Sequence, residues 1–172
     1  MNIEIHKVEP NSELSKKLLL FVENSSWDDT KEHTAKMIRE NNFSEWEAMF
    51  VAMDGDKIVG HASLMRDDYY PLPDVFPWIS TVFVTEEYRG MKISGLMIDY
   101  INKYAKVLGF NQTYIPSEYF GIYEKYGYTY IKDIVNYGGG TDHLFSKKIW
   151  LRGDNINERT RYTRFKYIHD VW

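Results

Sequence analysis

Arg89, Gly90, Met91, Lys92, Ile93, Ser94 and Gly95 form a short run of basic and small residues between two segments of different periodicity. Before it lies Trp78-Ile79-Ser80-Thr81-Val82-Phe83-Val84, strand-like in its β-branched and aromatic content. After it Ile93, Leu96, Met97, Tyr100, Ile101, Tyr104, Val107 and Leu108 recur at helical spacing. Lys106 falls in the last turn, and Gly109 follows as a C′ residue. A loop of small residues thus joins a strand to a helix N-terminus. The first N–H groups of such a helix have no internal partner and point out of its end. Together with the helix dipole they make an anion site suited to phosphate. No Gly-Lys-Ser/Thr closes the loop, so it is not a P-loop, and it is not the dinucleotide pattern G-x-G-x-x-G.

The spacing resembles the acetyl-CoA loop of the GCN5-related N-acetyltransferase (GNAT) family. There an Arg or Gln is followed, three and five residues later, by small residues. Arg89 fills the first place; Lys92 stands where the first glycine is usual, and Ser94 where the second small residue is. Lys92 fits if only its N–H is used, and the Ser94 hydroxyl can itself donate to a phosphate. A second stretch is similar to the family's signature Phe/Leu-Tyr-Glu-Lys-x-Gly-Phe/Tyr: Ile122-Tyr123-Glu124-Lys125-Tyr126-Gly127-Tyr128. It follows a short strand, Gln112 to Ile115, in the order that the family requires. The resemblance is specific over residues 77–131 and extends at fold level to about 3–150.

The remaining elements fit that order. Ile3 to Val8 reads as a strand. Pro10, Asn11 and Ser12 start a helix with Leu14, Leu18, Phe21 and Val22 on one face. A second helix is expected over Lys31 to Glu40, opened by an Asp29/Glu32 capping box and only weakly apolar. Asp54-Gly55-Asp56 between Ala48–Met53 and Lys57–Met65 signals a tight hairpin. Strands follow at Trp78–Val84, Gln112–Ile115, Tyr128–Val135 and His143–Ile149, with Gly138-Gly139-Gly140 turning the last hairpin. The order β-α-α-β-β-β-α-β-α-β-β predicts an α+β chain with the GNAT (acyl-CoA N-acyltransferase) fold. Its mixed, mostly antiparallel central sheet is flanked by helices, and two strands splay at the CoA site. One domain is expected over 1–150, followed by a tail over 151–172.

The resemblance implies acetyl-CoA as co-substrate. Its pyrophosphate should rest on the N–H groups of residues 90 to 95, with Arg89 as counter-charge. Its pantetheine amides should pair with the open backbone edge of Val82, Phe83 and Val84. A backbone N–H of that strand can hold the thioester oxygen as charge develops. The resemblance also implies that Tyr123 supplies a proton to the departing thiolate, since a phenol can hydrogen-bond the sulfur. Tyr123 and Tyr126 alternatively pack the segment onto the sheet. No carboxylate occurs in Trp78 to Val84, so the general base stays open among Asp67, Asp68, Glu118, a water held by Ser80, and deprotonation of the amine in bulk water. Pro116 takes the place of an Asn usual in the family. Residues 66–78 combine Asp67, Asp68, Tyr69, Tyr70, Phe76 and Trp78 with three prolines. A wall of this kind suits a cationic amine, and a solvated connection suits the same composition. Trp27 and Trp46 read as core first and pocket second.

Composition narrows the classes. A chain of 172 residues can bury a core, and a net charge of −4 argues against general nucleic-acid binding. Without cysteine there is no disulfide, no thiol nucleophile and no thiolate metal site. The scattered His6, His33, His61, His143 and His169 lack ligand spacing, so no metal is expected. No apolar run approaches about 18 residues, and the start lacks a signal-peptide core, so a cytoplasmic location is expected. Arg152-Gly153-Asp154 is read as coincidence. In the tail Arg152, Arg159, Arg161, Arg164 and Lys166 outnumber Asp154, Glu158 and Asp170, and Tyr162, Phe165, Tyr167, Ile168 and Trp172 interleave with them. Such a tail should pack on its own domain or on a partner subunit, which leaves a homodimer open.

These expectations converge on an N-acetyltransferase. It would move acetyl to a primary amine of a small cationic molecule, or of a peptide, by direct attack in a ternary complex. The alternative is a degenerate domain that binds acyl-CoA as a non-catalytic sensor or interaction module.

Overall fold

The computed structural model describes residues 2–149; the tail over 151–172 lies outside the described residues. Seven strands form one sheet: β1 (Ile3–Val8), β2 (Ala48–Asp54), β3 (Lys57–Met65), β4 (Trp78–Val84), β5 (Gln112–Ser117), β6 (Thr129–Val135) and β7 (Thr141–Lys148). Their order is β1-β2-β3-β4-β5-β7-β6. All neighbours are antiparallel except β4 and β5, which run parallel and share a single paired position, Trp78 with Tyr114. Beyond Trp78 these two strands part, as the resemblance implies.

Three helices cover the sheet. Helix α1 (Glu13–Glu23) is capped by Ser12, whose hydroxyl accepts from the Ser15 N–H at 3.1 Å. Helix α2 spans Asp28–Glu40, three residues earlier than expected, and the Asp29/Glu32 capping box is absent because Trp27 is the N-cap. Asp28 and Asp29 lie instead in its first turn, where they complement the dipole. Only Thr34 and Ala35 of α2 are buried, so its apolar face is as thin as the sequence suggests. Helix α3 (Ile93–Val107) ends in a Schellman arrangement: Gly109 N–H donates to Lys106 O at 3.0 Å and Phe110 N–H to Ala105 O at 3.1 Å. Its buried face is Ile93, Met97, Ile98, Ile101 and Ala105; Leu96 and Val107, expected on that face, are exposed.

Strand alternation divides the core. Ala48, Phe50 and Ala52 pack against α3, and Met49, Val51 and Met53 pack against Leu18 and Val22 of α1 and Ala35 of α2. A third cluster joins Trp78, Ile134 and Leu144 to Tyr70, Leu72, Val75, Phe76 and Tyr114. The helix expected within Ile122–Tyr128 is a three-residue 3-10 turn, Glu124–Tyr126. Gly127, at φ +84, stops it there.

Buried on the α1 side, His61 contacts Phe83 and Phe21 at ring distances of 5.6 and 6.1 Å. Its Nδ1 finds no hydrogen-bond partner among the described residues. Burial lowers its pKa from 6.5 to about 4. The unfolded chain therefore takes up a proton first. The resulting stability is fully present above pH 6.5 and is lost as pH falls towards 4, by about 3 kcal/mol. His61→Leu should flatten this segment of a stability-against-pH curve measured by urea unfolding. A variant that keeps the full wild-type slope between pH 6.5 and 4 would show that His61 does not cause it.

Candidate active site

A cavity of about 740 Å³ opens where β4 leaves β5. Val82, Phe83 and Val84 form one wall, and Arg89, Gly90, Lys92, Ile93 and Ser94 form its end. The opening has a local cause. Pairing of β3 with β4 shifts register between His61/Phe83 and Ser63/Ser80, which places one extra residue on β4. Thr81 carries that bulge at φ +50, held by a 3.1 Å contact between the hydroxyls of Ser63 and Thr81.

At the end of the cavity Gly90 (φ +79) and Lys92 (φ +62) turn the chain into α3. Lys92 is the N-cap and its side chain makes no capping bond, so among the described residues the N–H groups of Ile93, Ser94 and Gly95 stay uncapped. The left-handed conformation explains why glycine is usual at position 92 in the resemblance; a lysine holds it at a strain of about 1–2 kcal/mol. The Lys92 side chain is exposed, as the use of its N–H alone requires. Gly95 serves packing: a Cβ there would lie 2.6 Å from the Tyr126 ring. The Tyr126 hydroxyl in turn meets the Ser94 hydroxyl at 3.0 Å.

Arg89 departs from the simple role of counter-charge. Its Nε donates to Val84 O at 3.1 Å and its Nη2 pairs with Glu86 at 2.7 Å. Glu86 also accepts from Ser26 at 2.5 Å. Arg89 therefore ties the loop to β4 and to the α1–α2 junction, and Glu86 offsets much of its charge. Lys125, two residues beyond Tyr123, lines the same cavity and was missed by sequence reasoning. The signal was present in the second motif, but only the 3-10 turn swings it over the start of α3. Trp27 also lines the cavity, stacked on Phe83 at 6.0 Å. Trp46 packs instead on Phe110 at 4.9 Å.

Tyr123 lines the cavity as well, half-buried against Tyr128 and Phe145. Burial, then Tyr126 and Asp68, push its phenol up to about 12. The segment is pinned by Tyr128, whose hydroxyl meets Thr113 at 2.8 Å and donates to Asn102 at 3.2 Å in the core.

The residues expected around an acceptor separate. Asp68 sits beside β4, accepting from the Ser80 hydroxyl and from the Tyr69 N–H at 2.6 Å. Its pKa is raised, chiefly by burial and also by Asp142; the Ser80 and Tyr69 bonds and His33 oppose the rise. Asp67 and Glu118 are exposed. Trp78 is 1% exposed and stacks on Tyr70, so it is core at the β4–β5 joint and not a pocket wall. Met91, 46% exposed, and Gly95 do not line the cavity with their own surface.

Residues 45–130 match the sequence model of the acetyltransferase (GNAT) domain. The chain belongs to this family. Solved structures share the fold. An aminoglycoside 6′-acetyltransferase type Ii is 19% identical with a TM-score of 0.69, over 87% of this chain and 99% of that one. An aminoglycoside 6′-N-acetyltransferase complexed with coenzyme A is 18% identical with a TM-score of 0.67, over 88% and 99%. A GNAT family acetyltransferase from Elizabethkingia anophelis with acetyl-CoA bound is 17% identical with a TM-score of 0.57, over 86% and 98%. No curated protein matches the chain. Among its described residues no helix is long and apolar enough to cross a membrane.

In this GNAT domain the contact of Gly95 with Tyr126 is directly testable. Gly95→Ala should destabilise by roughly 1–3 kcal/mol through overpacking. In a Tyr126→Ala background the same change should stabilise by up to about 1 kcal/mol, because alanine favours the helix. A double-mutant cycle by chemical denaturation reads the reversal. Equal effects in both backgrounds would show that the ring does not require the glycine.

Proposed function

We propose that this GNAT domain transfers acetyl from acetyl-CoA to a primary amine of a small cationic molecule, by direct attack in a ternary complex. The observation that carries the reading is the opening between β4 and β5, with an uncapped helix N-terminus at one end and Tyr123 along its wall. A pyrophosphate on the N–H groups of Ile93 to Gly95 matches the dipole, with Lys92 and Lys125 adding positive charge. Pantetheine amides fit the edge of Val82 to Val84 that β5 leaves unpaired. The Val84 carbonyl already accepts from Arg89, so part of that edge is in use. Aminoglycoside acetyltransferases among the structural neighbours support a small cationic acceptor.

In the reaction the amine nitrogen bonds to the acetyl carbon, and the carbon–sulfur bond then breaks. Asp68 takes the proton that the nitrogen loses; its raised pKa and its place beside β4 suit a base. Of the alternatives, Asp67 and Glu118 lie in solvent, and the Ser80 hydroxyl proton is committed to Asp68. The thiolate emerges near Tyr123. A phenol at about 12 stays protonated at any working pH, so the donor is always loaded. Full transfer to a thiolate whose acid titrates near 8.5 is uphill by roughly 5 kcal/mol. Tyr123 therefore acts mainly by hydrogen-bonding the developing charge on sulfur, and solvent completes the protonation.

Two measurements test this. Millimolar CoA should raise the melting temperature by several degrees through binding to the folded state. No rise would overturn the reading. Release of CoA from acetyl-CoA should then be screened over polyamines, aminoglycosides and peptides. Binding without release on any of them would favour the non-catalytic alternative.

Tyr123→Phe should lower kcat by about 100-fold, through loss of one donor to the developing charge, while leaving the CoA-induced thermal shift unchanged. Asp68→Asn should lower kcat comparably, with little change in KM for acetyl-CoA. Wild-type kcat in a folded variant, with chemistry rate-limiting, would remove that residue from its role.

A further inference from the structure

A side-chain hydrogen bond ties the loop over 66–77 to the far half of the sheet, beside the ring contact of Tyr69 with Tyr137 and the packing of Leu72, Val75 and Phe76 with Ile134 and Leu144. Tyr70 donates its hydroxyl to Asp142 Oδ2 at 2.8 Å, and Asn136 donates to the same oxygen at 3.1 Å. Asp142, at the start of β7, is 7% exposed, and both of these hydrogen-bond partners are neutral. The Tyr70 ring stacks on Trp78 at 5.6 Å. Two backbone bonds continue the tie: Tyr70 N–H to Asp68 O at 2.7 Å, and Tyr137 N–H to Tyr69 O at 3.2 Å. Asp68 thus stands two residues from an anchor that crosses from β4 to β7.

We infer that Tyr70 and Asp142 are positioning residues for Asp68: Tyr70 fixes the loop that carries it, and the Asp142 carboxylate holds Tyr70 and sets a second negative charge at that anchor. The inference deepens the reading of Asp68 as the proton acceptor and rests on it only for its catalytic meaning. Asp142 acts on Asp68 as a like charge that raises its pKa, behind the larger effect of burial. The other groups that face Asp68 are His33 from α2, Ser80 from β4 and Tyr123 from the segment after β5. Tyr70 itself is pushed up by burial, by Asp142, by Asp68 and by Glu118, so it stays a neutral donor.

The test is a carbon-13 NMR titration of the Asp68 carboxyl in the full chain, assigned by its loss in Asp68→Asn. Asp142→Asn keeps an oxygen for Tyr70 and removes the charge. The midpoint of Asp68 should fall, because the like charge is gone. Tyr70→Phe keeps both charges and the stack on Trp78. It should speed amide exchange over 66–77 about tenfold and move the Asp68 midpoint less than Asp142→Asn does. An unmoved midpoint in folded Asp142→Asn overturns the inference, as does unchanged exchange in Tyr70→Phe. Should Asp142→Asn fail to fold, the Tyr70→Phe exchange alone decides. None of these readouts needs a substrate. Failure here therefore differs from failure of the proton-acceptor reading, which would appear as wild-type kcat in Asp68→Asn.

Discussion

The site depends on one constraint: β4 must stay in the sheet and yet leave β5 after a single paired residue. A fully paired strand has no backbone groups left for a ligand. A strand free on both sides has no fixed shape. The structure meets both demands by dividing the sheet into halves, β1 to β4 and β5 to β6, joined where Trp78 faces Tyr114. The bulge at Thr81 twists β4 away just beyond the joint. The joint itself is buried, with Trp78 packed among Tyr70, Tyr114, Ile134 and Leu144 from both halves. Removing that packing would let the halves slide and would change the width of the cavity.

Charge is managed just as locally. A helix N-terminus draws an anion by partial charges on three or four N–H groups, and those groups must stay uncapped. Here the N-cap is a lysine in a left-handed conformation, which offers no acceptor oxygen. Arg89, the guanidinium of the loop, is turned back on Glu86 and Val84. Its geometry serves the loop first. The exposed Lys92 and Lys125 are point charges on long side chains, and among the described residues neither would have to break an ion pair to reach a phosphate.

Much of this was legible in the sequence because the deciding signals were local. The loop from Arg89 to Gly95 and the run from Ile122 to Tyr128 each carry their own turn chemistry. The Asp54-Gly55-Asp56 hairpin and the Gly109 stop were likewise read from a few adjacent residues. Errors arose where tertiary contacts overrode local preference. Leu96 and Val107 looked like members of the α3 face, but Ile98 and Ala105 fill it. Asp29 looked like a cap, but Trp27 is held above Phe83 and starts α2 earlier. Trp78 looked like pocket wall in a proline-rich segment, but the parallel pairing with β5 buries it. Among four carboxylate and water options for the base, only the path of the loop separates Asp68 from the rest.

That path follows from the split sheet. A cavity made by parting two strands leaves its rims attached to different halves, so each functional group needs a brace to the other half. Tyr123 has one through Tyr128, whose hydroxyl reaches Asn102 on α3 and Thr113 on β5. Within its own half, Lys147 on β7 holds the same segment by donating to Tyr126 O at 2.8 Å. Asp68 belongs to the β1–β4 half, and its brace runs through Tyr70 to Asp142 on β7. The two braces use phenols for the same physical reason. A phenol buries a large apolar ring while carrying one donor at a fixed distance from it. It can therefore pack into the joint and make one directional bond beyond it. In this chain tyrosine, the commonest aromatic residue, occupies both crossings, and the parted strands stay in register across the opening that they create.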